Sequence, residues 1–134
     1  MIYTTYTNDR LSVAGGAELV LMDRDTLAGL RFNDFRDFDP DVSDVIARDH
    51  EFYRTIDGKF GVDVWEAQPG EVPFADHGYD EMIYVLEGNM SFINTNGDAE
   101  IYSAGKAVIL PSGWTGKAVV STNGARVIIF WHRN

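Results

Sequence analysis

Apolar residues in the second half of this chain come in short runs separated by turn dipeptides, and no long segment repeats them at helical spacing. Residues 60–68, 82–86 and 107–110 read as strands, set at the short intervals of an all-β sandwich or barrel. Asn96-Gly97 divides 90–94 from 99–102, and Asn123-Gly124 divides 118–121 from 126–131. Asn-Gly suits the positive φ angles of a two-residue turn, so each dipeptide predicts an antiparallel hairpin. Residues 82–86 are apolar at every position, which predicts a strand covered on both faces. With Glu81 facing inward, Ile83 and Val85 follow by alternation, and Met82, Tyr84 and Leu86 need a second cover. Val127, Ile129 and Trp131, opposite Ile128 and Phe130, set the same requirement. A second sheet, the N-terminal segment or a partner subunit would meet it.

The first half is less regular. Gly15-Gly16 and Ala28-Gly29 break it around a candidate strand at 18–22, and the best helix is 41–48, where Val42, Val45 and Ile46 share a face after Pro40. Asp23, Asp25, Asp34, Asp37, Asp39, Asp41, Asp44 and Asp49 make this stretch acidic, which reads as a solvated arm. It is not a calcium loop, because Pro40 interrupts the alternating Asp and the loop's Gly and closing Glu are missing. The division expected is an arm over 1–55, packing on a barrel or on a partner, and a barrel over 56–134, in a single domain overall.

Composition narrows the function. A chain of 134 residues can bury one core, and with no Cys it has neither disulfides nor thiolate chemistry. A net charge of -10 without a basic patch argues against nucleic acid and anionic membranes. No run is long enough to span a bilayer, and the N-terminal residues do not read as a signal peptide, so a cytoplasmic location is expected. A phosphate loop would need Gly-Lys followed by Ser or Thr, but Lys59, Lys106 and Lys117 precede Phe60, Ala107 and Ala118. No serine sits in a nucleophile elbow.

Two stretches carry a stronger signal: 70–81 leading into Tyr84-Val85-Leu86-Glu87-Gly88, and 105–114 with its Pro111-Ser112-Gly113-Trp114 turn. Together they resemble the paired motifs of a cupin, and with Val64-Trp65-Glu66 they are most similar to small cupins of the ethanolamine-utilisation protein Q type, the cupin type 3 family. The resemblance covers about 60–120 and implies an all-β double-stranded β-helix, a jelly-roll barrel, with an irregular N-terminal arm. It also implies a homodimer, since single-domain cupins commonly pair. Lys106 departs from the Asp common at that turn.

What the resemblance implies for chemistry is thinner. Aligned on Glu81, His77 takes the place of the second motif histidine, Ala75 stands where the first belongs, and Gly116 where the last belongs. His77 and Glu81 are therefore two ligands for a divalent Zn, Mn, Fe or Ni ion, and an open catalytic site takes roughly three or four. Glu66, Tyr79, Asp80 and His132 are the residues left to supply a third. Glu66, His77, Tyr79, Glu81 and Trp114 are candidates to line a ligand pocket. Three readings stay open: a cupin that binds a small organic metabolite as an enzyme with a reduced metal site, a non-catalytic accessory or binding cupin, or metal-independent acid-base chemistry of the epimerase or isomerase kind with His77 and Tyr79 flanking the substrate.

Overall fold

A computed structural model describes residues 3–4, 19–39, 41 and 43–134. In chain order the elements are β1 (Tyr3–Thr4), β2 (Leu19–Val20), α1 (Arg24–Ala28), β3 (Arg36–Asp37), β4 (Ile46–Arg54), β5 (Phe60–Ala67), β6 (Gly70–Phe74), β7 (Asp80–Asn94), β8 (Ala99–Ser103), β9 (Ala107–Leu110) and β10 (Gly116–His132). The fold is all-β, as expected, and almost every pairing is antiparallel; β1 and β2 pair in parallel. No helix among the described residues is long and apolar enough to cross a membrane.

Two long strands hold the barrel together. Residues 125–132 of β10 lie between β5 and the first part of β7, while residues 116–120 lie between β6 and the last part of β7. β9 extends the first group beside β7, β8 extends the second, and β4 with β3 continues beyond β5. Two facing sheets thus share the same two strands. The shared strands turn the corner at Gly88 and Gly124, with φ of 79° and 75°. A Cβ at Gly88 would lie 2.0 Å from Gly124 O, a separation that no side chain tolerates.

This corner corrects one expectation. Asn123-Gly124 does not turn a hairpin; it is an irregularity within a continuous 17-residue strand, with a register shift between Val120 and Ala125. The positive φ that Asn-Gly favours is used to bend the strand. The other dipeptide does sit in a hairpin, between β7 and β8, but the loop is wider than two residues: Asn94 N donates to Asp98 O at 2.8 Å, and Gly97 takes φ of 91°. That is the three-residue loop closed by a left-handed glycine.

The expected helix at 41–48 is also corrected, since Ile46 opens β4. Val45 and Ala47 are 1 % and 3 % exposed while Ile46 between them is 37 % exposed, a period of two that pairing with β5 enforces. The helix that forms is α1, capped by Asp23, whose Oδ1 accepts from Thr26 N at 2.8 Å. The sheet begins at β3 and β4.

Alternation sorts the side chains into two cores. Trp65, Ala67, Ile83, Val85, Met90, Phe92, Leu110 and Val127 point inward. Phe52, Val62, Val64 and Ile128 point outward, and Val20, Met22, Leu27, Leu30 and Phe32 of the N-terminal segment pack over them with Leu86 and Phe130. The second cover demanded by Leu86 and Phe130 is thus the chain's own N-terminal segment. Burying a side chain such as Phe52 contributes about 1.5–3 kcal/mol. The cover stops short of β9, leaving Tyr84 and Ile109 36 % and 68 % exposed.

Candidate functional site

Between the two sheets lies a cavity of about 790 Å³, within the range of sites for small organic ligands. The β5–β10–β7 wall contributes Asp63, Glu81 and Trp131, which point inward by the same alternation that aims Trp65, Ile83 and Val127. The facing wall is apolar, with Val72, Phe74, Met90 and Phe92. Tyr79 and Arg133 join the polar side from the segments next to β7 and β10.

His77 stands in the turn between β6 and β7, and its backbone is clamped at both ends. His77 N donates to Trp114 O at 2.9 Å, and Gly113 N donates to His77 O at 2.6 Å. Asp76 N adds a bond to Thr115 Oγ1 at 3.0 Å. The Pro-Ser-Gly-Trp turn that follows β9 therefore sets the height of the histidine, which is the physical link between the two sequence motifs. Phe74 meets the imidazole edge-on at 5.1 Å, and Tyr79 lies 4.4 Å from it between ring centroids. So placed, His77 Nε2 approaches Glu81 Oε1 to 3.0 Å, with both side chains buried.

Burial decides the charge of this pair. It pushes the Glu81 carboxyl up to about 7, with the Asp63 carboxylate adding to the effect, and it holds His77 below the usual imidazole value. Both shifts oppose an ion pair and favour a neutral acid beside a neutral imidazole. Tyr79 is raised by burial and then by the Glu81 charge, against a smaller opposing pull from Arg133. Its phenol stays protonated and can donate.

The remaining sequence candidates lie elsewhere. Glu66 alternates to the outer face, where its carboxylate accepts from Arg126 Nε at 2.7 Å and from Arg48 Nη2 at 2.7 Å. Burial would raise its pKa, but the hydrogen bonds from Arg126 and Arg48 outweigh that and lower it. Trp114 donates Nε1 to Asn94 Oδ1 at 2.8 Å and lines a separate hollow with Phe92 and Tyr102. Asp80 accepts from Ser112 N at 2.8 Å, and His132 is exposed. Asp63, Trp131 and Arg133 were not singled out by the sequence. The signal for Asp63 was its spacing of two from Trp65, and for Trp131 its place opposite Glu81 in the ladder.

Cupin folds raise the question of a resident metal, and the donor set answers it here. His77 and Glu81 converge, but among the described residues no group of three His, Asp or Glu side chains is placed to hold an ion. Two protein donors fall short of the roughly three that an open transition-metal centre requires.

The EutQ-like cupin domain model matches residues 55–126 of the chain. Among solved structures, a putative ethanolamine utilization protein Q from Salmonella typhimurium LT2 is similar at 19 % identity and TM-score 0.68, over 92 % of this chain and 94 % of that one. The EutQ protein of Clostridium difficile is similar at 20 % identity and TM-score 0.64, over 80 % and 83 %. The polyketide cyclase RemF of Streptomyces resistomycificus is similar at 25 % identity and TM-score 0.56, over 66 % of each chain. Comparison with curated proteins gave no match.

Proposed function

The chain belongs to the family of EutQ-like cupin domains, and we propose that it binds a small organic molecule between its sheets and moves a proton on it by acid-base chemistry at Glu81. The observation that carries this reading is a buried carboxyl at the cavity wall whose pKa is pushed up to about 7. Such a group is an effective acid and an effective base at the same pH, because neither protonation state is scarce. His77 Nε2, 3.0 Å from Glu81 Oε1 but not hydrogen-bonded to it, is near enough to exchange a proton with the carboxyl once the two align. Tyr79 offers a phenol to the oxygen on which charge develops, and Val72, Phe74, Met90 and Phe92 offer an apolar wall to the body of the ligand. RemF, a polyketide cyclase by name, is an instance of a similar fold acting on an organic substrate. One fold serves many chemistries, so the support comes from the site.

The test is proton exchange. Small carbonyl compounds that raise the melting temperature of the protein are incubated with it in deuterated water, and the C–H bond next to the carbonyl is followed by NMR. Exchange that Glu81→Gln slows at least about 100-fold supports the reading. Compounds that bind without exchange move the protein to the accessory, non-catalytic reading, and a set in which nothing binds removes both. Elemental analysis runs alongside: near-stoichiometric Zn, Mn, Fe or Ni, lost in both His77→Ala and Glu81→Ala, would replace acid-base chemistry with a metal centre. The homodimer belongs on the outer strip that the N-terminal segment leaves bare, where Tyr84 and Ile109 are exposed. Sedimentation of native protein and Ile109→Lys checks it, and a monomeric native protein removes it.

A further inference from the structure

Arginine is concentrated around the cavity. Of the chain's 11 basic residues, Arg31, Arg36, Arg54 and Arg133 line it, and none of its lysines does. Arg54 and Arg36 have carboxylate neighbours. Arg54 Nε lies 3.1 Å from Glu51 Oε1, and Arg36 Nη2 lies 3.7 Å from Asp49 Oδ1. Arg133 is different. Its guanidinium carbon sits 5.1 Å from the centroid of Tyr79 and 4.8 Å from that of Trp131, and it makes no ion pair among the described residues. Its backbone is fixed by a 2.8 Å bond from Arg133 N to Lys59 O.

Aromatic rings cover the faces of a guanidinium and leave the N–H edge of Arg133, an exposed residue at the cavity, to water or to an entering anion. A planar fork of donors, oriented by two rings and facing a cavity, is suited to a carboxylate. Arg133 does not serve instead to neutralise Glu81, whose pKa is raised by burial and by Asp63 with no offset from Arg133. The wider field works against anions, since the chain carries a net charge of -10, so an anion that enters must be held locally.

We propose that the cavity selects an organic anion, a carboxylate joined to an apolar or aromatic body, with Arg133 taking the carboxylate and the Val72, Phe74, Met90 and Phe92 wall taking the body. This rests on the reading that the cavity is the binding site, and it adds the class of substrate. The carboxylate end then lies beside Tyr79, on the side of the cavity that carries Glu81.

The experiment is isothermal titration of the native protein, Arg133→Met and Arg133→Lys with 3-phenylpropionate and with its neutral amide, 3-phenylpropionamide. The expected result is roughly 10- to 100-fold tighter binding of the acid by the native protein. In Arg133→Met that preference disappears while the amide binds as before, which also reports that the variant is folded. Arg133→Lys keeps part of the preference. Equal binding of acid and amide by the native protein, or an acid preference that survives Arg133→Met, overturns the anion selection and leaves the cavity reading standing. Failure of both ligands to bind at millimolar concentration also overturns it; the broader screen by melting temperature then decides whether the cavity reading falls too.

Discussion

Glu66 and Glu81 are two glutamates on opposite faces of one sheet, separated by β10, and they have opposite fates. On the outer face Glu66 meets Arg126 and Arg48, whose planes are in turn covered by Phe32 and Phe35, and its carboxylate is held ionised. On the inner face Glu81 meets an uncharged imidazole and another carboxylate, and it retains its proton up to about pH 7. Burial acts on both in the same direction. What differs is the partner, and the difference separates a group that holds the N-terminal segment in place from one available to react.

The comparison is broken most severely by Glu81→Gln. In the unfolded chain Glu81 loses its proton near 4.5 and in the folded chain near 7, so native stability falls as pH rises between those values. Gln carries no such penalty. We expect the variant to exceed the native protein by about 3 kcal/mol at pH 8 and to match it below pH 4, read from urea unfolding at both pH values. Equal unfolding midpoints at pH 8 would mean that folding does not raise the Glu81 carboxyl above its ordinary value.

Arg126→Met attacks the other face and should cost about 2 kcal/mol at pH 7, since Glu66 stays partly buried with only Arg48 to answer it. The pH dependence runs the opposite way. A depressed folded pKa gives stability that is present above the unfolded value and lost as pH falls through the folded one, so the Arg126→Met deficit should shrink in acid. Trp131→Phe keeps the ring and removes the 3.0 Å bond from Nε1 to Asp63 Oδ2, for a loss of about 1 kcal/mol in thermal unfolding. The smallest effect is expected from Arg36→Ala. Its 3.7 Å contact with Asp49 is exposed on both sides, so the change should stay within about 0.5 kcal/mol, and a larger loss would show that the rim is more tightly organised than its exposure implies.

Much of the outer and inner division could be read from the chain. The alternation that places Glu81, Ile83 and Val85 together was legible, as was strand 107–110, because period-two patterning is local. The paired motifs located His77 beside Glu81 for the same reason: each is a short segment with characteristic turns. The bend at Asn123-Gly124 was not legible, because a hairpin and a bulge ask for the same backbone angles and differ only in where the next strand pairs. Residues 41–48 failed as a helix because the ladder from β4 to β5 is a contact with residues farther along the chain. Glu66, a candidate to line the pocket, adjoins the inward-facing Trp65 in β5, and neighbours in a strand face opposite ways. Asp63 and Arg133 carry no motif, and their place is set by register alone.

The position of β10 has a kinetic meaning. The strand that β5, β6 and β7 all pair with follows every one of them in sequence, so the hairpins β4–β5 and β7–β8 can form from local contacts while neither sheet can close. Closure waits for a partner more than fifty residues from β5, as in the pairing of Trp131 with Gly61. Folding should therefore be slow relative to domains built from near neighbours, limited by one late zippering event rather than by collapse. Until that event the inward row of Val127, Ile129 and Trp131 and the outward row of Ile128 and Phe130 are both bare, which makes the nascent chain most vulnerable to aggregation just before β10 docks.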